Sequence, residues 1–332
     1  MSRRIIFVTG GAGFIGSNIV AKLAEDPSLD VVVCDWLHEA ELGKWRNIAK
    51  HPIGDFVAPE KMFEWLEKRW RDVELVVHMG AVSSTTEPDA DKIVHANFTL
   101  SRDLFRWCAD HQRRFVYASS AATYGDATDF ADRDDADSLA ALRPLNTYGW
   151  SKALFDLFAA RQAARDYAPP QWVGLKFFNV YGPNEEHKHS MKSVASQIWP
   201  KVRDGHAVQL FKSYRDGVPD GGQSRDFVYV RDVADVVGWL AKSEEVNGIY
   251  NLGSGVARTF EDMAKAVFAA AGRAPEIEYT PMPPAIRDKY QYFTQAHMER
   301  LKAAGYNQPM TSLEEGVGDY VKRYLSQPDP YR

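Results

Sequence analysis

Tyr148 and Lys152 are the residues whose types and spacing most directly allow chemistry. A separation of four puts both side chains on one face of the helix predicted over 147–165. A free phenol titrates near ~10. An ammonium group beside it stabilises the phenolate, so the pair can remove a proton near neutral pH. Ser120 is the third candidate. It follows the strand predicted over 114–118, and its hydroxyl can hold the oxygen that the phenol deprotonates. A tyrosine and a lysine can share a helix face by chance, and a serine at a strand end can be a simple cap. The second pattern in the chain decides between these readings.

That pattern lies at the start. Residues 3–9 are predicted as a buried strand, 10–17 are glycine-rich, and 18–24 take a helical period. Gly11, Gly13 and Gly16 fit the dinucleotide-binding fingerprint, and Gly10, Gly13 and Gly16 fit its variant spacing. Glycines permit a tight turn and close backbone approach to a pyrophosphate. The free N–H groups of the following helix then face the phosphate charge. Residues 31–35 form a second predicted strand ending in Asp35, nineteen residues beyond Gly16. A carboxylate there can accept hydrogen bonds from an adenosine ribose. With a nicotinamide dinucleotide in place, the positive oxidised ring adds to the effect of Lys152 on the Tyr148 phenol, and Lys152 can also hold the nicotinamide ribose.

These side chains need a scaffold, and the rest of the chain predicts one. Its 332 residues suit a large α/β domain with a lobe, at 45% hydrophobic and 26% charged residues. The net charge of −5 gives no reason to expect nucleic acid or an anionic membrane as a partner. Cys34 and Cys108 fall in a predicted strand and helix, which suits reduced core thiols and a cytoplasmic setting. No signal peptide is visible, and the histidines and cysteines show no metal-ligand spacing.

Further strands are predicted over 74–79 and 172–177, with helices over 60–68 and 92–109 and an acidic loop over 126–137. Alternating units of this kind predict a doubly wound, Rossmann-type parallel sheet whose ligands lie beyond the C-terminal strand ends. After residue 178 the pattern predicts a turn at 179–183, a helix over 191–201, a polar loop over 212–224, a strand over 226–230, a helix over 233–241 and a short strand over 248–252. Helices are predicted over 260–271 and 312–325. The expected division is a dinucleotide-binding domain, 1–178 with 226–255 returning to it, and a smaller α/β substrate lobe, 179–225 with 256–332.

The glycine turn, the serine before Ala121-Ala122-Thr123-Tyr124-Gly125, Tyr148-x-x-x-Lys152, Asn179-Val180-Tyr181-Gly182-Pro183 and the run 225–233 together resemble the extended short-chain dehydrogenase/reductase family. The resemblance runs nearly end to end and implies a nucleotide-sugar enzyme. Residues 78–87, 186–195 and 290–296 resemble the branch of the family that epimerises ADP-heptose at C6 for lipopolysaccharide core. It implies transient oxidation by bound NADP, NAD being possible, then return of hydride to the opposite face. A second acid/base then serves the other orientation, a role the resemblance assigns to Lys188. Beyond Gly10, Gly13 and Gly16, it also implies that Phe14, Ile15, Asp35, Trp36, Lys44, Met79, Gly80, Ala81, Val82, Ser83, Asn97, Val180 and Lys188 meet the cofactor, Lys44 by reaching a 2′-phosphate. Ser120, Asn179, Ser190, Gln197, Phe211, Lys212, Ser213, Tyr214, Arg225 and Tyr290 fall at substrate positions. Arg225 suits a diphosphate, since a guanidinium grips two oxygens at once; an ion pair with a nearby acid is its bland alternative. A homopentamer is the implied assembly.

The sequence departs from the pattern in places. Trp36 stands where asparagine is expected, Asp35 by itself favours NAD over NADP, His189 replaces a glycine, and Gln197 falls where a histidine often contacts substrate. The alternatives are a hexose 4-epimerase, a dehydratase and a non-catalytic NAD(P)-sensing protein. Ala121-Ala122 stands where a dehydratase carries Asp-Glu, and a sensor commonly lacks the Tyr or the Lys.

Overall fold

The computed structural model describes residues 4–38, 43–85, 87–287 and 290–332. Arg3 of the first expected strand and Thr86 of the stretch 78–87 lie outside the described residues.

Runs of Val, Ile and Phe that are apolar on both faces form strands buried on both sides. These are β1 (Arg4–Thr9), β2 (Leu29–Cys34), β4 (Val73–His78), β5 (Arg114–Ser120) and β6 (Trp172–Phe177), with the short, partly exposed edge strand β3 (Asp55–Val57) between β2 and β4 in the chain. The helices between them are α1 (Phe14–Leu23), α2 (Met62–Arg69), α3 (Ala90–Ile93), α4 (Leu100–Asp110), α5 (Ala136–Ala140) and α6 (Thr147–Ala163). A π-helical segment, Val94–Thr99, joins α3 to α4. The second half adds β7 (Asn179–Tyr181), α7 (Val194–Asp204), β8 (Val208–Phe211), β9 (Ser224–Tyr229), α8 (Val230–Leu240) and β10 (Gly248–Leu252). It closes with β11 (Ala257–Thr259), α9 (Phe260–Ala270), β12 (Ile277–Thr280), α10 (Pro284–Arg287), α11 (Glu299–Ala303) and α12 (Leu313–Tyr320).

The main sheet is parallel in the order β10-β6-β5-β4-β1-β2-β3. This is the Rossmann-type arrangement. The order reverses between β1 and β4, and the crevice at such a reversal is where ligands bind. Two apolar layers cover the sheet, one built around Val8, Ile19 and Val237 and the other around Phe7, Phe105 and Phe155. A third cluster, with Tyr181, Val202, Val267 and Tyr320, forms the core of the lobe. The three-stranded sheet β11-β9-β7 spans the expected boundary at residue 226, and the pair β12-β8 lies in the lobe.

Several expectations are corrected here. The turn expected at 179–183 begins as β7, because Asn179, Val180 and Tyr181 pair with β9. The helix expected over 191–201 starts at Val194, where Ser193 caps it by accepting from the Ser196 N–H; before it lies the 3-10 turn Glu186–Met191. The acidic loop runs into α5, which starts at Ala136 and is capped by Asp135. The helix expected over 92–109 is interrupted by the π-helical segment. Both cysteines are unpaired and buried.

Candidate active site

The glycine turn is built by close approach. Gly10 has φ +64°, and a Cβ there would stand 2.6 Å from the Gly80 nitrogen. A side chain would therefore push apart β1 and β4 at the point where the sheet order reverses. A Cβ on Gly16 would overlap the Gly10 carbonyl, so α1 sits directly over the turn. Gly13 precedes α1 in extended conformation, and the turn presents Phe14 and Ile15 at the helix start.

A buried hydrogen-bond chain holds the two strand ends together, and the sequence reading missed it. Thr9 Oγ1 lies 2.6 Å from His78 Nδ1, and the Gly80 N–H donates to Thr9 Oγ1 at 3.2 Å. His78 Nε2 lies 2.9 Å from Ser101 Oγ, which itself donates to the Asn97 carbonyl at 2.7 Å. Ser101 is therefore the acceptor from Nε2–H, and Nδ1 accepts from Thr9. Burial holds the imidazole neutral, with its pKa pushed down to about 3. A signal existed in the sequence: a histidine closing an otherwise apolar strand must find partners.

Asn97 is fully buried, and its amide is spent on the same loop. Its Oδ1 accepts from the Val82 N–H at 2.8 Å, and its Nδ2 donates to the Val82 carbonyl at 3.0 Å and to Ser151 Oγ at 3.1 Å. It therefore supports loop 79–83 from behind and ties it to α6. The loop's Met79, Gly80 and Val82 are half-buried, and Ala81 and Ser83 are exposed. Asn97 lies within the π-helical segment, a distortion that often marks functional sites.

At the end of β5, Ser120 meets Tyr148. Asn146 caps α6 by accepting from the Gly149 N–H at 2.8 Å. A Cβ on Gly149 would stand 2.6 Å from the Ala122 carbonyl, so glycine lets α6 press against the turn after Ser120. The Ala122 N–H donates to Ser120 Oγ at 3.1 Å, which fixes the hydroxyl at the start of the turn. Burial pushes the Tyr148 phenol up, and the Ser120 hydrogen bond pulls it back down. Lys152 is buried and donates to the Ala118 carbonyl at 2.8 Å. Burial lowers its pKa to about 8, against the opposing pull of Asp156.

Asp156, two turns beyond Tyr148, organises the ground beneath. It accepts from Tyr117 at 2.9 Å, from Ser119 at 2.7 Å and from Lys176 at 2.7 Å. Lys176 also donates to Thr123 at 2.7 Å, and Thr123 donates to the Ser120 carbonyl at 2.8 Å. Ser120 is thus held from both sides. A buried ion pair stays intact only when its remaining positions are hydrogen-bonded, as they are here.

The other expected residues form three groups. Asp35 is buried and accepts from the Ala12 N–H at 2.9 Å, the Trp36 N–H at 2.7 Å and Lys44 Nζ at 2.6 Å. The Trp36 indole turns outward and donates to Glu60 at 2.6 Å. In the second group, Lys188 Nζ lies 5.0 Å from the centre of the Phe14 ring. Burial lowers its pKa, and Glu185 opposes that. Beside it, Asn47 bridges the Ala12 carbonyl, at 2.8 Å, and His187 Nδ1, at 3.2 Å. Gln197 donates to the Ser190 carbonyl at 3.2 Å and to the Lys192 carbonyl at 2.6 Å. The lysine loop is therefore fastened to both the glycine turn and α7.

In the lobe, the Arg225 guanidinium is mostly buried between the rings of Phe260, at 5.6 Å, and Tyr290, at 5.3 Å, and Tyr290 meets Phe211 edge-on. It donates to the Ser224 carbonyl at 2.9 Å. Its contacts among the described residues are thus a carbonyl and two ring faces rather than the carboxylate of the bland alternative. The loop after Phe211 is closed by the Ser213 N–H donating to Asp220 at 2.7 Å, and the Tyr214 N–H donates to the Tyr292 hydroxyl at 2.9 Å. Lys212 and Tyr214 are exposed there, as is Asn179, while Val180 is half-buried on β7.

A phenol held on a serine, beside a buried lysine and at the mouth of a glycine-turn sheet, can exchange a proton with a hydroxyl as a hydride leaves the carbon. Comparisons with known proteins show what the chain is similar to. The model of the NAD dependent epimerase/dehydratase family matches residues 6–253. The ADP-L-glycero-D-manno-heptose-6-epimerase of Nitratidesulfovibrio vulgaris is 46% identical over 327 residues, 98% of this chain and 99% of the relative. The crystal structure of the Helicobacter pylori ADP-L-glycero-D-manno-heptose-6-epimerase superposes with a TM-score of 0.80 at 28% identity, covering 97% of this chain and 96% of that one. The Thermus thermophilus UDP-glucose 4-epimerase, solved in complex with NAD, gives 0.70 at 29% identity, covering 95% and 96%.

Proposed function

This chain belongs to the NAD dependent epimerase/dehydratase family, and on that premise we propose that it is an isomerase interconverting the D-glycero and L-glycero forms of ADP-β-D-manno-heptose at C6. The observation that carries the reading is the nearness of the Tyr148 phenol to Ser120 at the C-terminal end of β5, in the same sheet as the strand that leads into the glycine turn. The substrate comes from the relatives' activity: the near-full-length match at 46% identity is to a heptose epimerase. The turn fits a dinucleotide, because Gly10 and Gly16 let the strand ends and α1 close tightly, and Gly13 carries no side chain that caps α1, whose free N–H groups favour a phosphate. A nicotinamide dinucleotide held there would serve as hydride acceptor and then hydride donor, with no net redox change.

The chain's own residues do the rest. Tyr148 takes the proton from the C6 hydroxyl while Ser120 holds the same oxygen. Lys152 keeps positive charge near the phenol and holds the nicotinamide ribose. After oxidation the ketone turns over. Lys188 then serves the oxygen in its second orientation, supported by its place in the family motif and by its seat over Phe14 at the start of α1. Arg225 grips the diphosphate, its charge made available by stacking rather than by an ion pair. Phe211 and Tyr290 flank it, Ser190 and Gln197 line the lysine loop, and Asn179, Lys212, Ser213 and Tyr214 complete the sugar-nucleotide contacts. The resemblance supports a cytoplasmic ring of five subunits that supplies lipopolysaccharide core.

The test is to incubate the protein with ADP-D-glycero-β-D-manno-heptose, without added cofactor, and follow C6 by NMR. Interconversion is expected. Turnover of UDP-glucose alone would instead mark a hexose 4-epimerase, and turnover of neither substrate would mark a non-catalytic protein.

A further inference from the structure

The residues around the adenosine ribose fit the unphosphorylated dinucleotide and not its 2′-phosphate. Building on the epimerase reading, we propose that this chain is selective for NAD over NADP, with Trp36 and Glu60 excluding the 2′-phosphate.

Lys44 is the cation that the resemblance assigns to that phosphate. In this structure it is committed elsewhere. Its Nζ donates to Asp35 Oδ1 at 2.6 Å and to the Trp36 carbonyl at 2.7 Å. Asp35 is 7% exposed, so its charge needs that partner. Drawing Lys44 away to a phosphate would leave a buried carboxylate uncompensated, which costs several kcal/mol in general.

The residue after Asp35 adds a second obstacle. The Trp36 indole N–H donates to Glu60 Oε1 at 2.6 Å, bringing a second carboxylate to the end of β2. That hydrogen bond holds Glu60 below the usual carboxylate range, so it is ionised at neutral pH. Both Asp35 and Glu60 raise the Cys34 thiol, after burial, which places their two charges in reach of the same strand end. Glu60 is positioned by the 3-10 turn Pro59–Lys61 that follows β3, the strand paired with β2. The sequence between Asp35 and Lys44 contains Glu39 and Glu41 and no lysine or arginine.

Among the described residues, Lys44 is thus committed to Asp35, while Glu60 brings a second carboxylate held by Trp36. A ribose hydroxyl can donate to Asp35, whereas a 2′-phosphate has no proton to give and brings about two negative charges. Selectivity follows from the charges that oppose the wrong ligand as much as from contacts to the right one.

Two binding measurements test this. The dinucleotide released on denaturing the purified protein is identified by mass spectrometry, and NAD⁺ and NADP⁺ are titrated calorimetrically. NAD is expected to be released, and NAD⁺ to bind at least about tenfold more tightly than NADP⁺. The double variant W36N/E60K is expected to move that ratio toward NADP⁺ by about tenfold or more. NADP⁺ binding as tightly as NAD⁺ in the wild type, or a ratio unmoved by the double variant, would overturn the proposal while leaving the epimerase reading standing. Failure to bind either dinucleotide would overturn both.

Discussion

Burial opposes the charges that the proposed chemistry needs, and single residues set the balance. In the protein alone the Tyr148 phenol is pushed up by burial, with Ser120 as the counterweight. Tyr148→Phe removes the acid/base and is expected to lower turnover by about 10²–10⁴-fold, measured as C6 interconversion by NMR. Lys188→Ala is expected to fall by a similar factor; near-normal turnover would return Lys188 to the role of a loop cation. Lys152 carries its function at a cost to stability. Its pKa falls from 10.5 to about 8 on folding, so the unfolded chain binds the extra proton between those values and stability contributed by this group rises with pH. Below about pH 8 the full penalty applies. Compared with Lys152→Met, the wild type is therefore expected to gain thermal stability between about pH 8 and 10.5. A difference in Tm that stays flat across that window would show that Lys152 is not strained by burial.

At the scale of elements, the site depends on how closely α6 can approach β5. Gly149→Ala would drive a methyl group to 2.6 Å from the Ala122 carbonyl and move Tyr148 off Ser120. Overpacking of this kind costs about 1–3 kcal/mol. Turnover is expected to drop more than about tenfold in a folded protein, as judged by circular dichroism alongside the NMR assay. The long apolar strands and the amphipathic α4 were legible because their periods repeat over many residues. β3, β8, β11 and β12 are three or four residues long and leave no period to read. The π-helical segment keeps enough apolar spacing to pass for regular helix. Tyr148, Lys152, Ser120 and the glycine turn were legible because their chemistry is local in sequence. The Thr9–His78 and Trp36–Glu60 contacts were not, since each joins residues that only the sheet order brings together.

Across the whole molecule, the lobe is tied to the site through a buried acid. Glu185 accepts from the Tyr320 hydroxyl on α12 at 2.9 Å and from Ser193 at the start of α7, and it opposes the loss of charge on Lys188. The Trp199 indole donates to the Leu325 carbonyl at 2.9 Å nearby. Tyr320→Phe leaves that carboxylate one donor short, at a cost of about 1–3 kcal/mol. We expect a lower Tm and a raised KM for ADP-heptose with a smaller change in kcat. An unchanged KM would mean that α12 supports the lobe without reaching the lysine loop. The division into 1–178 with 226–255, and 179–225 with 256–332, is our proposal for how the two halves share the work. Under that proposal the sheet reversal would hold the dinucleotide and the lobe would contribute Arg225.

The central claim is that a hydride leaves C6 and returns to the same carbon while Tyr148 moves only the hydroxyl proton. Epimerisation of ADP-heptose carried out in heavy water, with C6 watched by NMR and mass spectrometry, tests it most directly. The account predicts inversion at C6 with no solvent deuterium bound to that carbon. Deuterium appearing at C6 as the stereocentre inverts would contradict it, because the carbon would then have exchanged a proton with solvent.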